Sequence, residues 1–264
     1  MERKTNKSLK RFGQNYIRDK NVLLNIISEF NPQPEDKIIE IGPGRGALTK
    51  LLLEKVNNFT AIEIDTRVIK TLRTLSQNIN IVNNDFLNID LNSFYKNDNK
   101  KIRIIGNIPY NITSPIIFKL IDNHEILFDA VFMVQHEVAK RMTGEKGTKN
   151  YGIFSIIINY FCDVSYCFKV SRNVFQPKPN VDSAVVHLRF KSNKEEYLVQ
   201  KTFIKVVKAS FGNRRKILKN SLSNSIFKNF NFSNCKIELS KRAEDLDIKD
   251  FIRLTKFILK NEHK

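Results

Sequence analysis

Tryptophan is absent from this 264-residue chain, and histidine is scarce at four. Cysteine appears three times, at Cys162, Cys167 and Cys235, an odd number without the paired spacing of a zinc site. That points to reduced thiols in a cytosolic protein and away from a disulfide framework. The histidines are scattered without HxxxH or HxH spacing, so no metal centre is expected. No stretch approaches 18 uninterrupted apolar residues, which argues against a membrane span. The first 20 residues are basic but hold no apolar core of the kind a signal peptide needs. Internal repeats and low-complexity linkers are also lacking. A cytoplasmic, metal-free globular protein is the expectation.

What the chain does have is positive charge, unevenly spread. Residues 1–20 carry seven Lys/Arg against two acids, and residues 191–264 carry eighteen against eight. The intervening residues are nearly balanced, with twenty against seventeen. A polyanionic partner met by both ends fits this pattern, because Lys and Arg neutralise phosphates and release counterions. A general Lys-rich bias is the alternative, but it would not spare the middle of the chain.

From about residue 20 to 190, short apolar runs alternate with helix-length segments, the pattern of a mostly parallel sheet with helices on both faces. The expected strands are 37–41, 59–64, 79–82, 102–105 and 130–134, with helices over 22–30, 47–55 and 67–75. Cys162–Val170 and Ser183–Phe190 read as an antiparallel pair closing the sheet edge. After Lys191 the apolar spacing turns helical over 197–211, 214–227 and 243–259. The reading is therefore an α/β domain over 1–190, opening with a basic segment over 1–20, and a small all-helical domain over 191–264.

The chemistry concentrates where strands end. Glu40-Ile41-Gly42-Pro43-Gly44-Arg45-Gly46 joins the first of these strands to its helix, and glycines there let the backbone approach a ligand. The spacing is GxGxG, not the GxGxxG of dinucleotide folds, and alone it is a weak signal. Glu63, 21 residues past Gly42, falls where a carboxylate accepts hydrogen bonds from ribose hydroxyls. Asp85 falls after the third strand, suited to the exocyclic amine of a bound adenine, although a capping carboxylate is an equal alternative for it taken singly. Asn107 follows the fourth strand in Gly106-Asn107-Ile108-Pro109-Tyr110. An amide oxygen and the neighbouring carbonyl can accept both hydrogens of a planar amine while an aromatic ring stacks on its base. Four polar positions at one sheet edge imply an adenosine-containing cofactor. An amine to be alkylated implies that the cofactor is S-adenosylmethionine.

These segments resemble the ribosomal RNA adenine N6-dimethyltransferases over nearly the whole length. Arg11-Phe12-Gly13-Gln14-Asn15-Tyr16-Ile17 is similar to the family's N-terminal signature, Ile41 to Thr49 to its cofactor loop and Gly106 to Ile112 to its catalytic loop. Val134 to Ala139, Phe175 to Ser183, Arg214-Arg215-Lys216 and Arg242-Ala243-Glu244 add further matches in the same order. The resemblance implies a Rossmann-like class I methyltransferase sheet with S-adenosylmethionine as cofactor. It implies that Asn15, Ile17, Gly42, Gly44, Glu63, Asp85 and Asn107 line the cofactor. Asn107 and the Ile108 carbonyl would hold the target amine, with Tyr110 stacking on one face of the adenine and Phe175 on the other; core packing beside Pro177 is the alternative for Phe175.

Arg11, Arg214, Arg215 and Lys216 are the expected RNA contacts, with a solvated helix surface as the alternative for the last three. The implied substrate is two adjacent adenosines near the 3′ end of small-subunit (16S) RNA, in a late assembly intermediate, and the implied state is a monomer. Ile108 stands where the family usually has Leu, a form common in the large-subunit enzymes that confer macrolide resistance. Pro43, Gln135-His136-Glu137 and the helical tail favour the small-subunit enzymes. A non-catalytic RNA-binding or assembly factor is the alternative from another class.

Overall fold

The computed structural model describes residues 15–76, 79–96, 99–192, 196–213 and 215–261. These residues form two compact units. The first holds the described residues up to Ala139 together with Val164–Lys191; the second holds Lys140–Asp163 and the described residues from Ser192 onward.

The first unit starts with a two-residue strand, β1 (Tyr16–Ile17), and helix α1 (Lys20–Phe30). Asp19 caps α1, its Oδ1 accepting the N–H groups of Asn21 and Val22, and Asn31 ends it in a left-handed conformation. Leu23, Ile26, Ile27 and Phe30 recur at helical spacing and give α1 one buried face. Then follow β2 (Lys37–Ile41), α2 (Ala47–Leu53), β3 (Asn58–Ile62), α3 (Thr66–Arg73), β4 (Asn80–Val82), α4 (Asn92–Tyr95), β5 (Ile102–Asn107), α5 (Thr113–Asp122) and β6 (Leu127–Gln135). Every residue of β2 is buried, as a parallel strand covered on both faces requires.

Helix α6 (His136–Met142) crosses from the first unit to the second, and α7 (Ile153–Phe161) lies in the second. Strand β7 (Cys162–Val170) returns the chain to the first unit, which β8 (Phe175–Gln176) and β9 (Ser183–Phe190) complete. The large sheet runs β4-β3-β2-β5-β6-β9-β7. Strands β4 to β6 are mutually parallel and β9 is antiparallel to β6. The carboxyl ends of five parallel strands therefore share one edge, which is where open α/β sheets place their ligands. Strands β1 and β8 form a separate antiparallel pair, Tyr16 opposite Gln176 and Ile17 opposite Phe175, which the sequence had not disclosed.

At the opposite edge lies a buried ionic cluster. Arg103, near the start of β5, grips Asp129 with two hydrogen bonds of 2.8 and 2.7 Å and reaches Asp36 at 2.6 Å. Burial alone would raise the Asp129 carboxyl. The Arg103 and His187 hydrogen bonds and charges outweigh it and hold Asp129 below the usual carboxylate range. Removing either partner would strand a buried charge, which costs about 3–5 kcal/mol.

The second unit corrects two sequence expectations. Residues 140–163, read as part of the sheet domain, cluster with the C-terminal residues instead. The reason is packing: the Tyr160 ring stacks on Phe203 at 4.1 Å between centroids, and the Tyr151 hydroxyl donates to the Leu246 carbonyl at 2.7 Å. Helix α8 spans Tyr197–Ser210, but α9 is only Leu218–Ser223, shorter than the expected 214–227. A 3₁₀ turn over Ala243–Asp245 precedes α10 (Ile248–Asn261). No helix among the described residues is long and apolar enough to cross a membrane.

Candidate active site

A cavity of about 250 Å³ opens at the carboxyl edge of the sheet. It collects residues from five places in the chain: Asn15 and Tyr16, Gly42 and Gly44, Glu63 and Ile64, Asp85 and Phe86, and the run from Asn107 to Ile112. Ile41, Ile62 and Ile108 add apolar walls. An apolar slot with a few convergent polar groups suits a flat, amphipathic ligand such as a nucleoside.

The glycine loop forms one wall. Gly42 and Gly44 have φ of 65° and 55°, a backbone region that residues with a Cβ rarely adopt. At Gly42 a Cβ would meet nothing within 4 Å, so its missing side chain is open space on the ligand side. At Gly44 a Cβ would lie 2.7 Å from Tyr16 Cε1, so that glycine makes room for the aromatic ring.

Glu63 follows β3 and is 4 % exposed. Its Oε2 accepts the Gly44 N–H at 3.0 Å and its Oε1 the Asp65 N–H at 2.8 Å. The carboxylate thus ties the loop to the end of β3; the Ile64 N–H is a third backbone donor to it, and a lone pair remains for a ligand hydroxyl. Burial raises its pKa, more than these backbone bonds offset. Asp85 caps the 3₁₀ turn Phe86–Asn88, with Oδ1 accepting the Leu87 N–H at 2.9 Å. It also lines the cavity, so capping and ligand-facing positions coincide in one side chain.

Asn107 is the last residue of β5. Its Nδ2 donates to the Asn15 carbonyl at 2.8 Å. A carbonyl accepts only from the NH₂ side of an amide, so this bond fixes which end of the side chain is which. Gly106 precedes it because a Cβ there would lie 2.6 Å from the Ile41 carbonyl of the neighbouring strand. Tyr110 is half-buried, lines the cavity and has its hydroxyl 2.7 Å from Ser183 Oγ.

Of the expected residues, Asn15, Gly42, Gly44, Glu63, Asp85, Asn107, Ile108 and Tyr110 all lie on this cavity. Two do not. Ile17 is buried in the core together with Leu23 and Phe30, and Tyr16 takes the cavity side, because successive residues of a strand point to opposite faces. Phe175, opposite Ile17 in the small pair, is 3 % exposed within the same core. The stacking role expected of Phe175 is corrected accordingly: its ring packs the interior and anchors β8. Arg215 and Lys216 are exposed, but in the turn before α9 and not on a helix. Arg11 and Arg214 lie outside the described residues.

Several residues were missed, among them Ile64 and Phe86 on the cavity wall and, more consequentially, Tyr16 and Glu40. Tyr16 sits inside the N-terminal signature, but a two-residue strand is too short for alternation to show which side chain faces the cavity. Its phenol pKa is raised by burial, and the Arg45 guanidinium lies 4.9 Å from its ring centroid. Glu40, beneath the glycine loop, is wholly buried; burial pushes its carboxyl up to about 8, against a 2.6 Å hydrogen bond from Thr49. Nothing in its strand pattern announced that.

A family model described as ribosomal RNA adenine dimethylase matches residues 5–260. The chain belongs to the ribosomal RNA adenine dimethylase family. Members of this family are S-adenosylmethionine-dependent methyltransferases, and this chain is one of them. A relative named ribosomal RNA small subunit methyltransferase A, from Francisella tularensis subsp. novicida (strain U112), is 41 % identical over 98 % of this chain and 100 % of its own length. One of the same name from Chlorobium phaeobacteroides (strain BS1) is 42 % identical over 94 % and 92 %. Among solved structures, a dimethyladenosine transferase from Plasmodium falciparum covers 93 % of this chain and 98 % of its own, at 26 % identity and a TM-score of 0.79. The 23S rRNA methyltransferase ErmE shares the fold at a TM-score of 0.70 and 24 % identity, covering 91 % and 98 %. The α/β methyltransferase fold read from the sequence is thus the fold of the adenine dimethylase family.

Proposed function

We propose that this adenine dimethylase methylates N6 of two adjacent adenosines near the 3′ end of small-subunit (16S) RNA, giving N6,N6-dimethyladenosine during late subunit assembly. The observation that carries this reading is the Asn107 amide, held through Nδ2 so that Oδ1 has no hydrogen bond among the described residues. An oxygen left unpaired at a cavity wall is an acceptor waiting for a donor, and an adenine amine is a donor of two hydrogens. The small-subunit assignment is supported by the names of the relatives at 41–42 % identity.

The residues present fit S-adenosylmethionine. The Gly42 backbone leaves open space, Glu63 keeps a lone pair for a ribose hydroxyl, Asp85 Oδ2 is available to an amine, and Ile64 and Phe86 offer apolar flanks. Asn15 and Tyr16 close the N-terminal side. When bound, the cofactor supplies an electrophilic methyl group on a sulfonium.

The protein's own part is positioning. Asn107 Oδ1 and the Ile108 carbonyl accept the two amine hydrogens and draw the nitrogen from planar towards tetrahedral, which localises its lone pair. Tyr110 presents its ring to the extruded base. No strong base is required, because the amine becomes acidic as it is alkylated and its proton passes to solvent. The exposed Arg215 and Lys216 bind RNA phosphates, and the protein works as a cytoplasmic monomer. Methyl transfer to isolated small and large subunits, with product mapping, tests the assignment. Labelled dimethyladenosine in the small subunit is expected; label in the large subunit alone, or none, refutes it.

A further inference from the structure

Three motifs that lie apart in the sequence meet behind Tyr110. Strand β6 ends and β9 begins side by side, with Val134 opposite Ala184 and Gln135 opposite Ser183. Asp182, just before that pairing, belongs to a corner pinned four ways. Its carbonyl accepts the His136 N–H at 3.0 Å, its Oδ1 the Arg172 N–H at 3.1 Å, and its Oδ2 lies 2.9 Å from Lys169 Nζ. The sheet pairing is the fourth constraint. Ser183 is therefore a rigid point, 0 % exposed. Its Oγ holds the Tyr110 hydroxyl at 2.7 Å.

Tyr110 has no comparable support of its own. It opens a three-residue 3₁₀ turn, Tyr110–Ile112, with no capping side chain. An aromatic ring that stacks on a base must hold its place, and a ring on a short turn swings between χ1 rotamers unless its far end is fixed. We infer that Ser183 is a positioning residue: by fixing the Tyr110 hydroxyl it sets the direction of the ring's long axis, and so where the ring stands for the target adenine to stack on. The inference rests on the proposed function and deepens it. It also gives Val134–Ala139 and Asp182–Ser183 one shared task, holding that anchor still. Burial raises the Tyr110 pKa, so the phenol stays protonated and able to serve as donor or acceptor to Ser183.

Ser183→Ala, Ser183→Thr, Tyr110→Phe and the Ser183→Ala/Tyr110→Phe pair would be compared with the unaltered protein. The substrate is undermethylated small subunits, and cofactor affinity is followed by calorimetry. Losing one hydrogen bond predicts a fall in kcat of about three- to tenfold for Ser183→Ala and for Tyr110→Phe. The pair should fall no further than either single variant, since both remove the same bond. Ser183→Thr should restore kcat, and cofactor affinity should hold throughout. Full turnover in Tyr110→Phe, or losses that multiply in the pair, overturns the inference. So does a matching loss of cofactor affinity in Ser183→Ala, which would mark a general structural role. If Ser183→Ala fails to fold, Tyr110→Phe alone decides, because it leaves Ser183 in place. Absence of methyl transfer by the unaltered protein would instead refute the proposed function, so the two failures are separable.

Discussion

The Asn107 side chain donates to the Asn15 carbonyl at 2.8 Å, across 92 positions of sequence. The backbone just before β1 thereby decides which end of the Asn107 amide faces the cavity. Asn107→Asp preserves shape but replaces the donor with a second acceptor against the Asn15 carbonyl. It should therefore fail as badly as Asn107→Ala, each lowering turnover on the order of 100-fold. Cofactor affinity measured by calorimetry should stay nearly unchanged in both. An aspartate variant with substantial turnover would show that the amide's orientation does not matter.

Glu63 joins the loop to β3 and, in the role proposed for it, accepts a ribose hydroxyl. Glu63→Ala should weaken cofactor binding by about 1–3 kcal/mol. The pH sign follows from burial, which raises this carboxyl above its ordinary value. The charged form that accepts hydroxyl hydrogens is then lost at a higher pH than for an exposed glutamate. Affinity should decline as pH falls through that raised pKa, and the decline should vanish in Glu63→Ala. A pH-independent affinity in the unaltered protein would count against the role.

Glu40 predicts a stability effect of opposite sense. Its carboxyl shifts from 4.5 to about 8 in the fold, so the folded protein holds a proton that the unfolded chain releases. This contribution is complete below pH 4.5 and is lost as pH rises towards 8, by on the order of a few kcal/mol. Glu40→Gln is permanently neutral and still accepts from Thr49. Urea unfolding from pH 5 to 8 should therefore show a flatter profile for the variant, which gains most at the alkaline end. Parallel profiles would mean that Glu40 is ionised within the fold.

Gly44→Ala would press a Cβ onto the Tyr16 ring and force a side chain into positive φ. The steric part can be separated from the backbone part. Adding Tyr16→Ala removes the clash and leaves the strained φ, whose own cost is about 1–2 kcal/mol. Cofactor binding should fall in Gly44→Ala and recover in part in the double variant, a coupling of about 0.5–3 kcal/mol. Additive losses would place Tyr16 away from the glycine loop.

The rim was legible because it follows from strand arithmetic. Buried runs such as Ile38–Ile41 and Ile102–Ile105 mark parallel strands, and the polar residues just beyond them, Glu63, Asp85 and Asn107, must fall at one edge. The exchange of Ile17 for Tyr16 was not legible from such runs. Strand β1 has two residues and its facing is set by Phe175 and Gln176, far along the chain. Phe175 misled for the same reason: its motif marks a position, and only the pairing with Ile17 shows which way the ring points. Residues 140–163 were assigned by sequence proximity, whereas the Tyr160–Phe203 stack that draws them into the second unit is a long-range contact.

The basic tail makes a prediction about salt. Helical periodicity placed Arg214, Arg215 and Lys216 on a helix, where three consecutive positions cannot share a face. Arg215 and Lys216 instead sit exposed in a turn, where neighbouring side chains can reach one polyanion together. If both neutralise phosphates, Arg215→Gln/Lys216→Gln should flatten the slope of log K against log salt by about 1.4–1.8 for binding to small subunits. Cofactor affinity serves as the control for folding and should not change. A slope identical to that of the unaltered protein would mean that these two charges face only solvent, and the RNA contact would then have to be sought elsewhere on the second unit.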